Sequence, residues 1–151
     1  MNNLVRILIF AGFLGCAALI LLGPAAMRRS GLKAGGEMPA QNMLPDIGMP
    51  MLVEFYSTTC GICQKMKPGM SDLENKYGKS VKFIYLDTDD PRNRSLTDDF
   101  QVYGLPSFFW ITTDRKILDA REGGIPFEMI IERLEQLIEM HEESKSAEPR
   151  T

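Results

Sequence analysis

Two cysteines three positions apart, Cys60 and Cys63 in the run Thr59-Cys60-Gly61-Ile62-Cys63, are the residues whose type and spacing best suit chemistry. Only the thiolate attacks a disulfide, and a free cysteine, with a pKa near about 8.5, is mostly protonated at neutral pH. The run lies where an apolar stretch, Met51 to Tyr56, gives way to a helical one, Gly61 to Tyr77. A sulfur at such a junction meets unpaired backbone N–H groups and the positive end of the helix dipole, and both favour the charged form. Cys60 is therefore expected as the nucleophile. Cys63, one helical turn further in, is placed to attack a mixed disulfide on Cys60 and release the reduced partner. Such a dithiol carries its own electrons, so no cofactor and no metal is called for.

The same spacing forms half of many zinc sites, and its surroundings decide between the two readings. No second pair of this kind exists, and the only histidine, His141, falls in the terminal helix or tail, where it reads as a solvated surface residue. A second alternative is a binding module: Met66 and Met70 follow the cysteines at helical spacing, and soft sulfur ligands suit Cu(I). Methionines on an amphipathic helix are more commonly packing. A copper carrier, or an adaptor that keeps the fold without turning over, remains the rival to an oxidoreductase.

The elements that must position the two sulfurs follow in order. Met51 to Tyr56 reads as a buried strand, and Gly61 to Tyr77 as a helix interrupted by Pro68 and ended near Gly78. Val81 to Leu86 is a second strand; Asp90-Pro91 then supplies an N-cap and a first-turn proline for a helix reaching about Gln101. Ser107 to Thr112, a turn at Thr113-Asp114-Arg115, and Lys116 to Arg121 make an antiparallel hairpin. Phe127, Ile130, Ile131, Leu134, Leu137 and Ile138 recur at steps of three and four, an amphipathic helix covering the sheet. Trp110 belongs to the core of this arrangement. Asp87, Asp89 and Asp90 lack the glycine and glutamate of a calcium loop and read as a solvated turn with a helix cap. The terminal HEESKSAEPRT is expected to fray.

Ahead of this domain, Ile7 to Met27 carries no charged residue and has the length a helix needs to cross about 30 Å of hydrocarbon. A cleaved signal peptide is the alternative, since Ala25 and Ala26 follow Pro24, but its apolar region is usually shorter. Cys16, in a loosely lipobox-like Phe13-Leu14-Gly15-Cys16, is read as a small apolar residue within the helix. Arg28, Arg29 and Lys33 outnumber Arg6 and the terminal amine, which by the positive-inside count leaves the domain in the cytoplasm. A short basic N-terminus running straight into an apolar stretch instead resembles an exporting signal-anchor. A single-pass anchor with an extracytoplasmic domain is the expectation adopted.

The chain is thus divided into residues 1–6 as a flank, 7–27 as anchor or signal sequence, 28–50 as a flexible tether, 51–141 as one folded domain and 142–151 as a polar tail. With 151 residues there is room for one core of ordinary size. The formal charge of −3 and the lack of a dense Lys/Arg run argue against nucleic acid as a partner.

From about Met51 to Met140 the sequence resembles the thioredoxin family. Leu52-Val53-Glu54-Phe55-Tyr56 is similar to its central strand, Cys60-Gly61-Ile62-Cys63 to its active-site motif, and Pro68 to its helix proline. Gly104-Leu105-Pro106-Ser107 resembles the segment with its cis-proline, and Gly123-Gly124 its glycine position after the last strand. The resemblance implies an α/β fold with a mixed central sheet flanked by helices, here with an N-terminal transmembrane helix. It implies a monomer that meets disulfide-bearing proteins and a redox-partner protein, a cis Leu105–Pro106 bond beside the sulfurs, and a substrate surface formed by Leu105, Pro106, Gly61 and Ile62. It also places Glu54 where the family often has a buried acid that helps move the proton of the second cysteine. An acid desolvated in an apolar strand has a raised pKa, which suits that role; the alternative is a strand-edge glutamate pointing to water. The chain departs from the family at Thr59, where an aromatic is usual, and at Ile62, where proline is. Tyr85 falls where a lysine commonly faces the acid.

Overall fold

A computed structural model describes residues 44–45 and 47–147. The expected anchor at 7–27 and most of the expected tether lie outside the described residues. Among the described residues no helix is long and apolar enough to cross a membrane.

Strand β1, Met51–Tyr56, is buried on both faces, as expected of a central strand that is apolar except at Glu54. It pairs in parallel with β2, Lys82–Asp87, and antiparallel with β3, Ser107–Ile111, which pairs antiparallel with β4, Ile117–Glu122. The order β2-β1-β3-β4 gives a mixed four-stranded sheet. Helix α1, Gly61–Tyr77, connects β1 to β2, and Pro68 sits inside it. Lacking an N–H, that proline cannot bond the carbonyl one turn back. A 3₁₀ turn at Pro91–Asn93 leads into the short α2, Arg94–Asp99, and the chain ends with α3, Phe127–Ala147.

Alternation along β1 sends its side chains to two separate cores. Met51, Val53 and Phe55 join Leu96, Phe100, Phe109 and Ile111 on the face that α2 covers. There Phe100 lies 5.3 Å from Phe55 and 4.8 Å from Phe109, centroid to centroid. Leu52 joins Met66, Met70, Phe108, Trp110, Ile130 and Leu134 on the opposite face, under α1 and α3. Trp110 is fully buried, as expected of a core residue.

Several boundaries differ from the sequence expectation. Asp90 does cap, accepting from the Arg92 N–H at 2.9 Å, but α2 stops at Asp99 because Gln101 takes φ 51°, a left-handed turn that ends the helix. The hairpin strands end and begin one residue off, with Arg115 at φ 63° in the turn and a bulge between Trp110 and Ile111. Beyond His141, where fraying was expected, α3 continues to Ala147. His141 itself is half-buried, its Nδ1 2.8 Å from Thr113 Oγ1, which ties α3 to the hairpin turn. At the other end, Leu44 is buried in the first core, and the Arg115 guanidinium donates to its carbonyl at 3.1 Å. The last part of the segment read as tether is therefore held against the fold.

Candidate active site

Cys60 is the N-cap of α1 and Cys63 lies in its first turn, so the strand-to-helix junction brings both sulfurs to one end of the central strand. They are joined in a disulfide, with Cα atoms 5.3 Å apart. The Cys63 N–H donates to Cys60 Sγ at 3.2 Å, and the Cys60 N–H donates to the Ser57 carbonyl at 3.2 Å. A helix N-terminal N–H aimed at Cys60 Sγ favours negative charge on that sulfur once the disulfide opens. Cys63 is 4% exposed and Cys60 more, so of the two Cys60 is the one an incoming disulfide can reach.

The antiparallel register Phe55↔Ser107 sets the start of β3 at the same sheet end as the cysteine loop. Pro106 stands there, immediately before Ser107, and the Leu105–Pro106 peptide is cis. The Gly123 N–H donates to the Pro106 carbonyl at 2.7 Å, and Ser107 Oγ donates to that of Gly104 at 2.8 Å, fixing the loop. Ile62 is 48% exposed, and Gly124 comes so close that a Cβ there would touch its Cγ2. Gly61 is exposed beside it.

Glu54 points inward. Its place on the central strand, on the face that α1 covers, leaves it 5% exposed. Desolvation pushes its carboxyl from 4.5 up to about 7. With Cys63, Lys67, Glu74 and Tyr85 it lines a cleft of about 510 Å³ between α1 and the β1–β2 edge. Buried acid and buried sulfur thus share one opening to solvent. Tyr85, beside Glu54 in register, donates its hydroxyl to Glu74 Oε2 at 3.1 Å; burial, then the Glu74 carboxylate, pushes its own pKa up.

Met66 and Met70 pack in the core under the sheet at 6% and 1% exposure. Helical spacing here serves packing.

The sequence profile of thioredoxin matches residues 41–136. The chain belongs to the thioredoxin family. Thioredoxin X of Arabidopsis thaliana, a chloroplastic protein, is 32% identical over 100 residues, covering 66% of this chain and 54% of its own. A thiol:disulfide interchange protein, the TxlA homolog of Synechocystis, is 30% identical over 107 residues, covering 68% and 59%. The chain spans about half the length of the curated relatives it matches. The X-ray structure of Fasciola hepatica thioredoxin aligns at a TM-score of 0.51 and 25% identity, over 64% of this chain and 84% of that one.

Within the thioredoxin fold this chain adds contacts that the motif does not announce. Ser57 Oγ donates to Asp89 Oδ2 at 2.6 Å and accepts from the Thr59 N–H at 3.1 Å. Thr88, next to Asp89, donates its N–H to the Tyr56 carbonyl at 2.9 Å. The acidic turn, read as a solvated turn with a helix cap, is thus also stitched to the loop before Cys60. Two short polar residues 32 positions apart leave no local signal of that pairing.

Proposed function

We propose that this chain is a membrane-tethered thiol-disulfide oxidoreductase in which Cys60 and Cys63 pass two electrons to, or exchange them with, protein disulfides. The observation that carries the reading is the Cys60–Cys63 disulfide at the N-terminus of α1, with the Cys63 N–H on Cys60 Sγ.

In the reducing direction the reduced Cys60 thiolate attacks one sulfur of a substrate disulfide. A Cys60–substrate bond forms and the substrate's other sulfur leaves as a thiolate. Cys63 then gives up its proton, attacks Cys60 Sγ and expels the second substrate thiolate, restoring the internal disulfide. The substrate gains two electrons and the dithiol loses them; a redox-partner protein bearing a dithiol returns the pair to its reduced state. Glu54 receives the proton of Cys63, for which a carboxyl with a pKa near about 7 is suited at neutral pH. An extended substrate segment lies along Leu105 and the cis Pro106, with Gly61 and Ile62 on the other side of the sulfurs.

The anchor rests on the charge-free run Ile7 to Met27, with residues 28–43 as the tether and the domain on the extracytoplasmic side. On that side the electrons have to be delivered across the membrane.

Replacement of Cys63 by Ala tests the division of labour. The full chain carrying Cys63→Ala should accumulate mixed disulfides with partner proteins, visible as bands abolished by reductant, and Cys60→Ala should not. Equal trapping by both variants overturns the assignment.

A further inference from the structure

We propose that Asp89 is a positioning residue for the nucleophilic cysteine, acting through Ser57 to hold the Thr58–Cys60 loop; this rests on the reading of Cys60 as the attacking sulfur. A serine hydroxyl has one proton to give and two lone pairs. Ser57 Oγ gives its proton to Asp89 Oδ2 at 2.6 Å. Its second close neighbour, Thr59 Oγ1 at 2.9 Å, must therefore be a donor, and the Thr59 N–H at 3.1 Å is another. All three capacities of the hydroxyl are used, and Asp89 is what sets their direction. Without an acceptor at 89, the Ser57 proton is free to turn towards Thr59 Oγ1, and the two hydroxyls compete.

Both ends of this link are themselves held. Ser57 is 5% exposed, and its carbonyl accepts from the Cys60 N–H. The Asp89 N–H donates to Asp87 Oδ1 at 3.0 Å, and Asn93 Nδ2 donates to the Asp87 carbonyl at 2.9 Å. Thr88 bonds the Tyr56 carbonyl through both its N–H and its hydroxyl. The turn after β2 is therefore a fixed post, and Ser57 is the arm that reaches from it to the loop entering α1. The loop in turn decides whether Cys60 Sγ stays aligned with the Cys63 N–H. A misaligned sulfur loses the donor and dipole that favour its thiolate, so fewer molecules are reactive at neutral pH.

The test is the alkylation rate of Cys60 in the reduced full chain in detergent micelles, measured with iodoacetamide from pH 5 to 9. Ser57→Ala and Asp89→Ala should each slow the reaction at pH 7 by about two- to tenfold, the range expected from one lost hydrogen bond. Their pH midpoints should move upward. Asp89→Asn keeps an oxygen acceptor without the charge, and should react at the wild-type rate or faster. The Ser57→Ala/Asp89→Ala double variant should lose no more than the slower single variant, as expected of two residues acting through one contact. Asp89→Asn as slow as Asp89→Ala, losses that multiply in the double variant, or alanine variants as fast as wild type would each overturn the proposal. Alkylation requires no partner protein. A wild-type chain that alkylates as described but never reduces a disulfide would defeat the oxidoreductase reading and leave the Asp89 link standing.

Discussion

Tyr85 stands beside Glu54 in the β1–β2 register, and its hydroxyl donates to Glu74 Oε2 at 3.1 Å. The position next to the buried acid is thus filled by a neutral side chain whose only titratable proton is committed to another carboxylate. No cation in register offsets the loss of water around Glu54, and desolvation alone lifts its carboxyl to about 7. The same burial that costs stability when Glu54 ionises gives the site an acid-base group at neutral pH.

The first consequence is a pH-dependent stability. Glu54's folded-state pKa lies above its ordinary value, so between pH about 4.5 and about 7 the unfolded chain releases a proton that the folded chain keeps. Wild type should therefore lose stability relative to Glu54→Gln as pH rises through this window, and the difference should level off above it. At about 1.4 kcal/mol per unit, the full effect is about 3 kcal/mol. Denaturant unfolding of oxidised wild type and variant at pH 4 and pH 8 measures it; a difference that does not change with pH contradicts the account.

The second concerns resolution of the mixed disulfide. If Glu54 takes the Cys63 proton, Glu54→Gln should slow release of a substrate from Cys60 by about 10²-fold at pH 7 and remove the inflection near that pH. Single-turnover decay of a preformed mixed disulfide, followed from pH 5 to 9, reads both. An unchanged profile means that the proton leaves by another route.

A third prediction tests the core beneath α2. Phe100 is fully buried against Phe55 and Phe109, so Phe100→Ala should destabilise the domain by about 3–5 kcal/mol. Thermal or denaturant unfolding of the full chain checks it, and a loss under about 1 kcal/mol would mean that the cavity collapses and the neighbouring rings repack.

The compartment is tested by a reporter fused after Thr151. A reporter active only outside the cytoplasm should be active, and one active only in the cytoplasm should be silent; the opposite pattern reverses the orientation and places the dithiol in a cytoplasmic thiol pool.

The first half of the domain was legible almost residue by residue. β1 and α1 carry their boundaries in local signals: an apolar run, a capping sulfur, and a glycine just past Tyr77. The cis bond at Leu105–Pro106 was expected only from the family resemblance, because an X–Pro bond read by itself is usually trans. Where the sequence left two orientations for Glu54, only the sheet order could decide, since an acid on a central strand has no solvent edge to turn to. The early end of α2 depended on the left-handed backbone at Gln101, which a glutamine does not announce. The extension of α3 past Ile138 carries no apolar periodicity, and its glutamates, methionine, lysine and alanine, residues with good intrinsic helix propensity, outnumber its histidine and two serines. The Ser57–Asp89 contact joins two turns that meet only once β1 and β2 have paired.

Electron transfer itself shows whether Cys60 and Cys63 form a working redox pair. The full chain, reduced and freed of reductant, is mixed with excess of a model protein disulfide, and thiols on both are counted. The account predicts that one substrate disulfide is opened per chain, that Cys60 and Cys63 end joined, and that Cys60→Ala opens none. A reduced chain that leaves the substrate disulfide intact while keeping both of its own thiols would contradict it.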